Sequence, residues 1–386
     1  MGKLFEHPSV LALATLIGTI IGAGIFGLPY AVHQSGVVVG VLYFLGLGGV
    51  VLLLHLFFGE FALRTEEKHR LPGYAEVYLG RTGKYLAVLA IAFSIGGALL
   101  AYIIIGGEFL AQLTGEWIDV PLPLMSFAFW AIMSFFIFRG IRSIAAAELI
   151  MVLSLFFIIG VVVFFAWPHI EVANFSLTGE GGVFWPYGVV LFALTGWSAI
   201  PEIADLLKTK KEKGRLDNII VYGSVLTVLL YLAFTFAILG VAGSRVSEDA
   251  LIGLEPFLGS GVVALGVFFG FLAVAASFLV LGNYMKNSLR YDFGLPYYPS
   301  AILATFIPLA LYFLGFRSFL AVIDIVGALA LGAIEGVLIV LIYRQAKIHG
   351  DRTPEYRLSI PDLVLWFIIA LLVSGAVVKV FFGLIG

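Results

Sequence analysis

The sequence predicts an all-α membrane protein of eleven helical spans with its N-terminus on the cytoplasmic side. Three observations carry that expectation. Of the 386 residues, 61% are apolar and 12% are charged, against about a quarter charged in a soluble domain. Eleven apolar stretches each approach the ~20 residues that cross a bilayer as a helix. Of the 22 lysines and arginines, all but Arg245, Arg317 and Lys379 fall at ends that face inside when the N-terminus is inside, as the positive-inside bias requires. An odd number of spans then puts the C-terminus outside.

Span 1 covers 8–33 and is interrupted by glycines. It runs past signal length with no A-x-A site, so it is expected to stay as a span. Spans 2 and 3 (37–64 and 84–112) flank a polar inner stretch, 65–83. Spans 4 and 5 (121–139 and 144–167) meet at an inner turn holding Arg139 and Arg142. The outer stretch 168–183 leads into span 6 (184–207), which exits into the basic stretch 208–216. Spans 7 and 8 (217–242 and 260–287) enclose the outer stretch 243–259. Spans 9 and 10 (299–315 and 319–343) and the basic linker 344–358 precede span 11 (359–383). Trp117, Trp167 and Trp185 fall at outer boundaries, where an aromatic belt belongs.

Composition excludes several classes. A net charge of −2 argues against nucleic-acid binding, and the absence of cysteine removes disulfides and thiolate metal sites. The six histidines show no ligand spacing. No H-E-x-x-H occurs, and Gly196-Trp197-Ser198-Ala199-Ile200 lacks the last glycine of G-x-S-x-G. No enzyme, cofactor or metal is expected; the bilayer is an expected partner.

The interruption of span 1 occurs twice. Span 1 contains GAGIFGLP (22–29) and span 6 contains LTGWSAIP (194–201), with Gly24 matching Gly196 and Pro29 matching Pro201. The two spans run in opposite directions. Gly/Pro-broken segments at matching places in two halves point to a transporter binding site. Broken backbone leaves N–H and C=O groups unpaired, which membrane depth tolerates only beside a cavity or a ligand. Both prolines are expected in the first turn of the half-helix that follows. Half-helix N-termini suit an anion and C-termini a cation, so the pair suits a zwitterion. Gly18-x-x-x-Gly22 also fits a helix-packing motif; the matched break in span 6 favours the site.

These residues support a resemblance. GTIIGAGIFGLPYA (18–31) resembles the span 1 motif of the amino acid–polyamine–organocation superfamily, nearest the hydroxy/aromatic amino acid permease and amino acid/auxin permease branch. GEFALR (59–64), FALTGWSAIPEI (192–203) and AASFLVLGNYMKNSLR (275–290) are similar to spans 2, 6 and 8 of these permeases. The resemblance implies a LeuT-type fold in one domain, 1–386: inverted repeats over about 8–167 and 184–343, with the helix 359–383 appended. It implies a substrate site at Thr19, Gly22, Ala23, Gly24 and Ile25 in span 1, and at Ala193, Leu194, Thr195, Gly196, Trp197 and Ser198 in span 6. Tyr102, mid-span 3, matches a tyrosine frequent there; a hydrogen-bonded core aromatic is the competing reading. Trp197, inside the break, is expected to shape the pocket rather than only to pack.

The driving ion is less determined. Sodium users of this fold bind Na⁺ between span 1 carbonyls and span 8 hydroxyls. Ser277 offers one hydroxyl, but its neighbour Ala276 offers none. Gly18 stands where some sodium-coupled relatives carry Asn, and span 5 lacks the lysine of a proton-coupled branch. Neither signature is complete; the incomplete sodium site favours H⁺. Acids at membrane depth mark ion and proton pathways, which singles out Glu202 and Glu335. Glu108 and Asp324 are expected to be solvated near outer ends, and Glu60 to pair with Arg64 one turn on. Asn283, Lys286 and Asn287 form a polar face at the inner end of span 8, expected to be solvated. The expected function is alternating-access transport of neutral amino acids, aromatic or otherwise large, across the plasma membrane, proton-coupled. A sodium symporter, or a carrier or channel of this fold for a nucleobase, polyamine or inorganic ion, is the alternative.

Overall fold

The computed structural model describes residues 8–115, 119–139, 144–291 and 293–385; Lys3, Trp117 and Arg142 lie outside the described residues. Span 1 is two helices, α1 (Pro8–Ile20) and α2 (Gly24–Ser35), bent by 53°. Gly36 (φ 88°) turns the chain into α3 (Val37–Arg64). The stretch 65–83 is not a loop throughout. Helix α4 (Leu71–Thr114) starts with a proline in its first turn and kinks at Gly80, whose φ of 73° needs glycine. Helices α5 (Leu122–Arg139) and α6 (Ile144–Ala166) follow. Span 6 is again broken, into α7 (Tyr187–Leu194), a 3₁₀ turn (Trp197–Ala199) and α8 (Ile200–Leu206). The short α9 (Lys210–Lys213), closed by a Thr209/Glu212 capping box, leads to α10 (Leu216–Ala242). Then come α11 (Glu255–Leu258), α12 (Ser260–Tyr291), α13 (Tyr297–Phe313) and α14 (Phe319–Ile325). A π-helical segment, Val326–Gly336, continues α14 into α15 (Val337–His349), and α16 (Asp362–Ile385) ends the described chain.

Among the described residues nine helices are long and apolar enough to cross a membrane, or ten when the bent pair α1 and α2 counts as one span. Helix α13, at 17 residues, is apolar but shorter. Leu42, Leu89, Phe135, Phe164 and Leu229 are each more than half exposed, a density of bare apolar surface that hydrocarbon, not water, accommodates.

One expectation about the breaks is corrected. Pro201 does sit at the start of α8, but α2 restarts at Gly24, so Pro29 lies in its second turn. The Phe26 N–H already reaches the Ala23 carbonyl at 3.1 Å, which closes the first turn before the proline is reached.

The broken spans are wrapped by α3, α10 and the π-helical segment, while α4 and α6 each pack on α12 beside them. Small residues set the crossings, as in membrane bundles generally. A Cβ on Gly327 would run into the Gly188 carbonyl, so α7 and the π-helical segment meet backbone to backbone. Asp324 fixes the same corner: it accepts the Gly188 N–H at 3.1 Å and pairs with Lys379 of α16 at 2.8 Å. Glu60 pairs with Arg64 at 2.7 Å as expected, but is fully buried and also accepts the Leu358 N–H at 2.7 Å. Lys286 departs from its expected solvation. It is buried, with its ammonium 3.4 Å from the Ile137 carbonyl and over the Tyr297 ring, where it offsets the negative C-terminal end of α5.

Candidate functional site

The two breaks lie against each other. A Cβ on Gly24 would stand 2.8 Å from Ala193 Cα, and a Cβ on Gly196 would run into the Ile20 side chain. Each break thus seats its glycine on the other, which only a residue without Cβ permits. Gly22 is different. Its missing Cβ would meet only the Tyr102 hydroxyl, at an ordinary 3.6 Å, so this glycine, on the cavity wall, has room for a methyl group where Gly24 and Gly196 do not. Gly18 packs on α6, where any side chain would strike Val152; an asparagine does not fit there.

Two side chains hold the breaks from outside, one of them backed by Ser224. The Tyr231 hydroxyl lies 2.8 Å from the Ile20 carbonyl and 2.9 Å from the Ala193 carbonyl. His55 of α3 accepts the Gly196 N–H on Nε2 at 3.1 Å, and its Nδ1 lies 3.2 Å from Ser224 Oγ. An acceptor at Nε2 places the ring proton on Nδ1, so the neutral imidazole both receives from the break and donates to Ser224. This satisfies a buried N–H that the interruption of span 6 would otherwise leave unpaired.

Beside the breaks lies a cavity of about 640 Å³, well within the range of small-molecule sites. Its deep wall includes Gly22, Gly24, Tyr102, Phe192 and Trp197; its mouth includes Arg70, Glu202, Tyr284 and Asn287. The mouth is at the end where Arg64, Lys68, Arg352 and their neighbours gather. Arg70 and Glu202 are about half exposed there and 3.3 Å apart, with the guanidinium 4.5 Å from the centre of the Tyr284 ring. The opposite end is shut. Phe26 packs edge-on against Phe109 at 5.2 Å and against Phe234 at 6.4 Å. The segment 176–181 bonds onto the turn between α2 and α3 through Val37 N–H to Ser176 O and Gly181 N–H to Gln34 O.

Within the deep wall sits a buried carboxyl group. Glu335, on the π-helical segment, takes the Ser94 hydroxyl on Oε1 and the Trp197 indole N–H on Oε2, both at 2.7 Å. The carboxyl therefore joins span 3, span 6 and span 10 at the cavity surface. Widened helical turns of this kind recur at functional sites.

Of the residues singled out in the sequence, Thr19, Gly22, Gly24, Tyr102, Thr195, Trp197, Ser198, Glu202 and Glu335 line the cavity. Ala23, Ile25, Ala193 and Leu194 are buried in the core behind it, and Gly196 is occupied by His55 and Ile20. Ser277 lies behind Tyr102, whose hydroxyl it hydrogen-bonds, and donates to the Ala273 carbonyl at 2.9 Å. Trp197 meets both descriptions offered for it: it lines the cavity, and its N–H is satisfied. Sequence reasoning missed His55, Ser94 and Tyr231. Each is a polar residue inside an apolar span, a signal that was available but carries no spacing.

Several known proteins are similar to this chain. A tyrosine-specific transport system of Haemophilus influenzae is 25% identical over 329 residues, 78% of this chain and 81% of that one. A tryptophan-specific transport protein of Pseudomonas aeruginosa is 26% identical over 311 residues, 74% of each chain. Glutamine transporter 2 of Aliivibrio fischeri is 22% identical over 243 residues, 62% of this chain and 61% of that one. Among solved structures, that of MhsT in complex with L-phenylalanine superposes with a TM-score of 0.68 at 16% identity, covering 95% of this chain and 96% of that one. A nucleobase-cation-symport-1 family transporter with bromovinylhydantoin bound gives 0.58 at 17% identity, covering 85% and 76%. These two show a shared fold. The tryptophan/tyrosine permease family model matches residues 6–379, and the chain belongs to that family of membrane permeases.

Proposed function

We propose that this permease carries neutral amino acids, with tyrosine, tryptophan and glutamine as the first substrates to test, by alternating access through the cavity between its broken spans. The observation that carries the reading is the pair of reciprocal breaks at one cavity, with the N-terminus of α2 and the uncrowded Gly22 together on its wall. An exposed helix N-terminus suits a substrate carboxylate. Phe192, Tyr102 and Trp197 supply a wall for a large side chain, and the cavity has room for an amino acid of that size. The relatives' substrates support the choice.

In this reading the chain makes eleven spans, with α13 as the ninth, arranged as two inverted repeats of five plus α16. The basic end is cytoplasmic, with the N-terminus inside and the C-terminus outside. The described conformation then faces inward, with Arg70 and Glu202 at its inner mouth. Coupling is assigned to protons. Glu335 is a buried carboxyl on the cavity wall, whereas Glu202 is half exposed and paired. Two facts speak against sodium: Gly18 has no room for a ligand side chain, and Ser277 is engaged with Ala273 and Tyr102.

Reconstitution tests the whole reading. Proteoliposomes loaded with unlabelled tyrosine, tryptophan or glutamine should take up the labelled form by counterflow, and an imposed inward pH gradient without sodium should drive accumulation. Conductance without counterflow would mean a channel; accumulation that requires Na⁺ would refute the proton assignment.

A further inference from the structure

Tyr231 is buried in α10, with its hydroxyl between two carbonyls that end helices. Ile20 is the last residue of α1, and Ala193 lies in the last turn of α7. The interruptions deprive such carbonyls of their intrahelical donors, and both sit at the negative poles of their half-helices. Ile20 O also takes the Gly22 N–H at 2.9 Å. A phenol has one hydrogen to give. It serves the 2.8 Å and the 2.9 Å acceptor by turns, so acceptor capacity exceeds donor supply at this point. In transporters built from interrupted helices, convergent helix-end carbonyls are cation ligands.

We propose that the Tyr231 hydroxyl is a built-in substitute for a cation between the two breaks. A neutral donor, fixed by its own covalent stem, holds the ends of α1 and α7 together where a monovalent ion would otherwise do so. The inference rests on the transport reading above and deepens its ion assignment. It makes this position independent of sodium, and it names the residue responsible. Removing only the hydroxyl would leave a gap about the size of one water, lined by two carbonyl oxygens. Such a gap suits a small hard cation, which favours oxygen ligands.

The test is Tyr231→Phe. In sodium-free choline medium its counterflow is expected to fall about ten-fold, the scale of one hydrogen bond lost at a buried acceptor pair. Sodium is expected to restore it several-fold, and choline not. The thermal unfolding midpoint of the purified variant should likewise rise with sodium and not with choline, which reads the position without any substrate. Wild type should change by less than about two-fold between the two media. A variant that equals wild type in choline would overturn the proposal, as would a loss that sodium does not repair. Should the variant not fold, wild type decides: a ten-fold loss of substrate affinity on replacing sodium by choline would show that the break still depends on an ion. Failure of wild type to exchange any amino acid would sink the transport reading, while the sodium-dependent midpoint of Tyr231→Phe would still report on this one.

Discussion

Gly24→Ala adds a single methyl group where two interrupted helices touch. The added carbon would stand 2.8 Å from Ala193 Cα, 3.0 Å from Ala193 Cβ and 3.1 Å from Phe192 Cδ1. Favourable carbon contacts lie at about 3.5–4.0 Å, so the two backbones must separate by roughly 0.7 Å or more. The nearest atom belongs to the main chain, and no rotamer change relieves it. Overpacking of this kind costs about 1–3 kcal/mol, which is about 5- to 150-fold in an equilibrium. The same separation loosens the Ile20–Gly196 contact on the other side. The control is Gly22→Ala, whose methyl would meet only the Tyr102 hydroxyl, at 3.6 Å. Gly24→Ala should therefore lower the thermal midpoint and depress counterflow together. Gly22→Ala should keep the midpoint and raise the KM alone, because its methyl takes cavity space. A Gly24→Ala protein as stable and as active as wild type would refute the claim that the breaks are seated on each other.

Four further outcomes follow from named contacts. Glu335→Gln should abolish accumulation driven by a pH gradient while leaving counterflow measurable, because the amide keeps the shape and does not titrate; retained gradient-driven uptake would exclude Glu335 as the carrier. Trp197→Phe deletes the indole N–H on that carboxyl and should cost about 1.5–3 kcal/mol if the group is charged and about 0.5–1.5 if it is neutral, read as a loss in substrate binding by thermal shift. His55→Phe leaves the Gly196 N–H unpaired in the core and should destabilise by about 1–3 kcal/mol, with His55→Gln recovering part of the loss in chemical unfolding. Arg70→Ala removes an exposed ion pair and should change stability by less than about 1 kcal/mol; a large effect on the unfolding midpoint would show that the mouth is a structural latch.

The architecture was legible wherever the signal was local. Apolar length located the helices, and glycine with proline located both interruptions. The fine reading of the interruptions was not legible. The octets align Gly24 with Gly196, yet their prolines fall differently, one in a second turn and one at a helix start. Gly24 and Gly196 look like openings for a ligand, yet both are contacts; Gly22 is the opening. Whether a missing Cβ makes room or makes a contact depends on what stands opposite, and no single span contains that information. The same limit hid His55 and Tyr231. Their partners lie 141 and 211 residues away in the chain, and a polar residue in an apolar span does not announce which backbone it serves. Lys286 shows the converse: its charge suggested water, and its burial against the end of α5 follows from a helix dipole supplied by another span.

The reciprocal seating of Gly24 and Gly196 has a mechanical consequence. Two rods notched into each other at their midpoints cannot slide independently, and Tyr231 pins the same joint. The interrupted helices must therefore travel as one piece, like a crossed lever. If the site alternates as proposed, opening the aromatic plug at Phe26 and closing the mouth at Arg70 would move this joined piece as a unit against the helices packed on it.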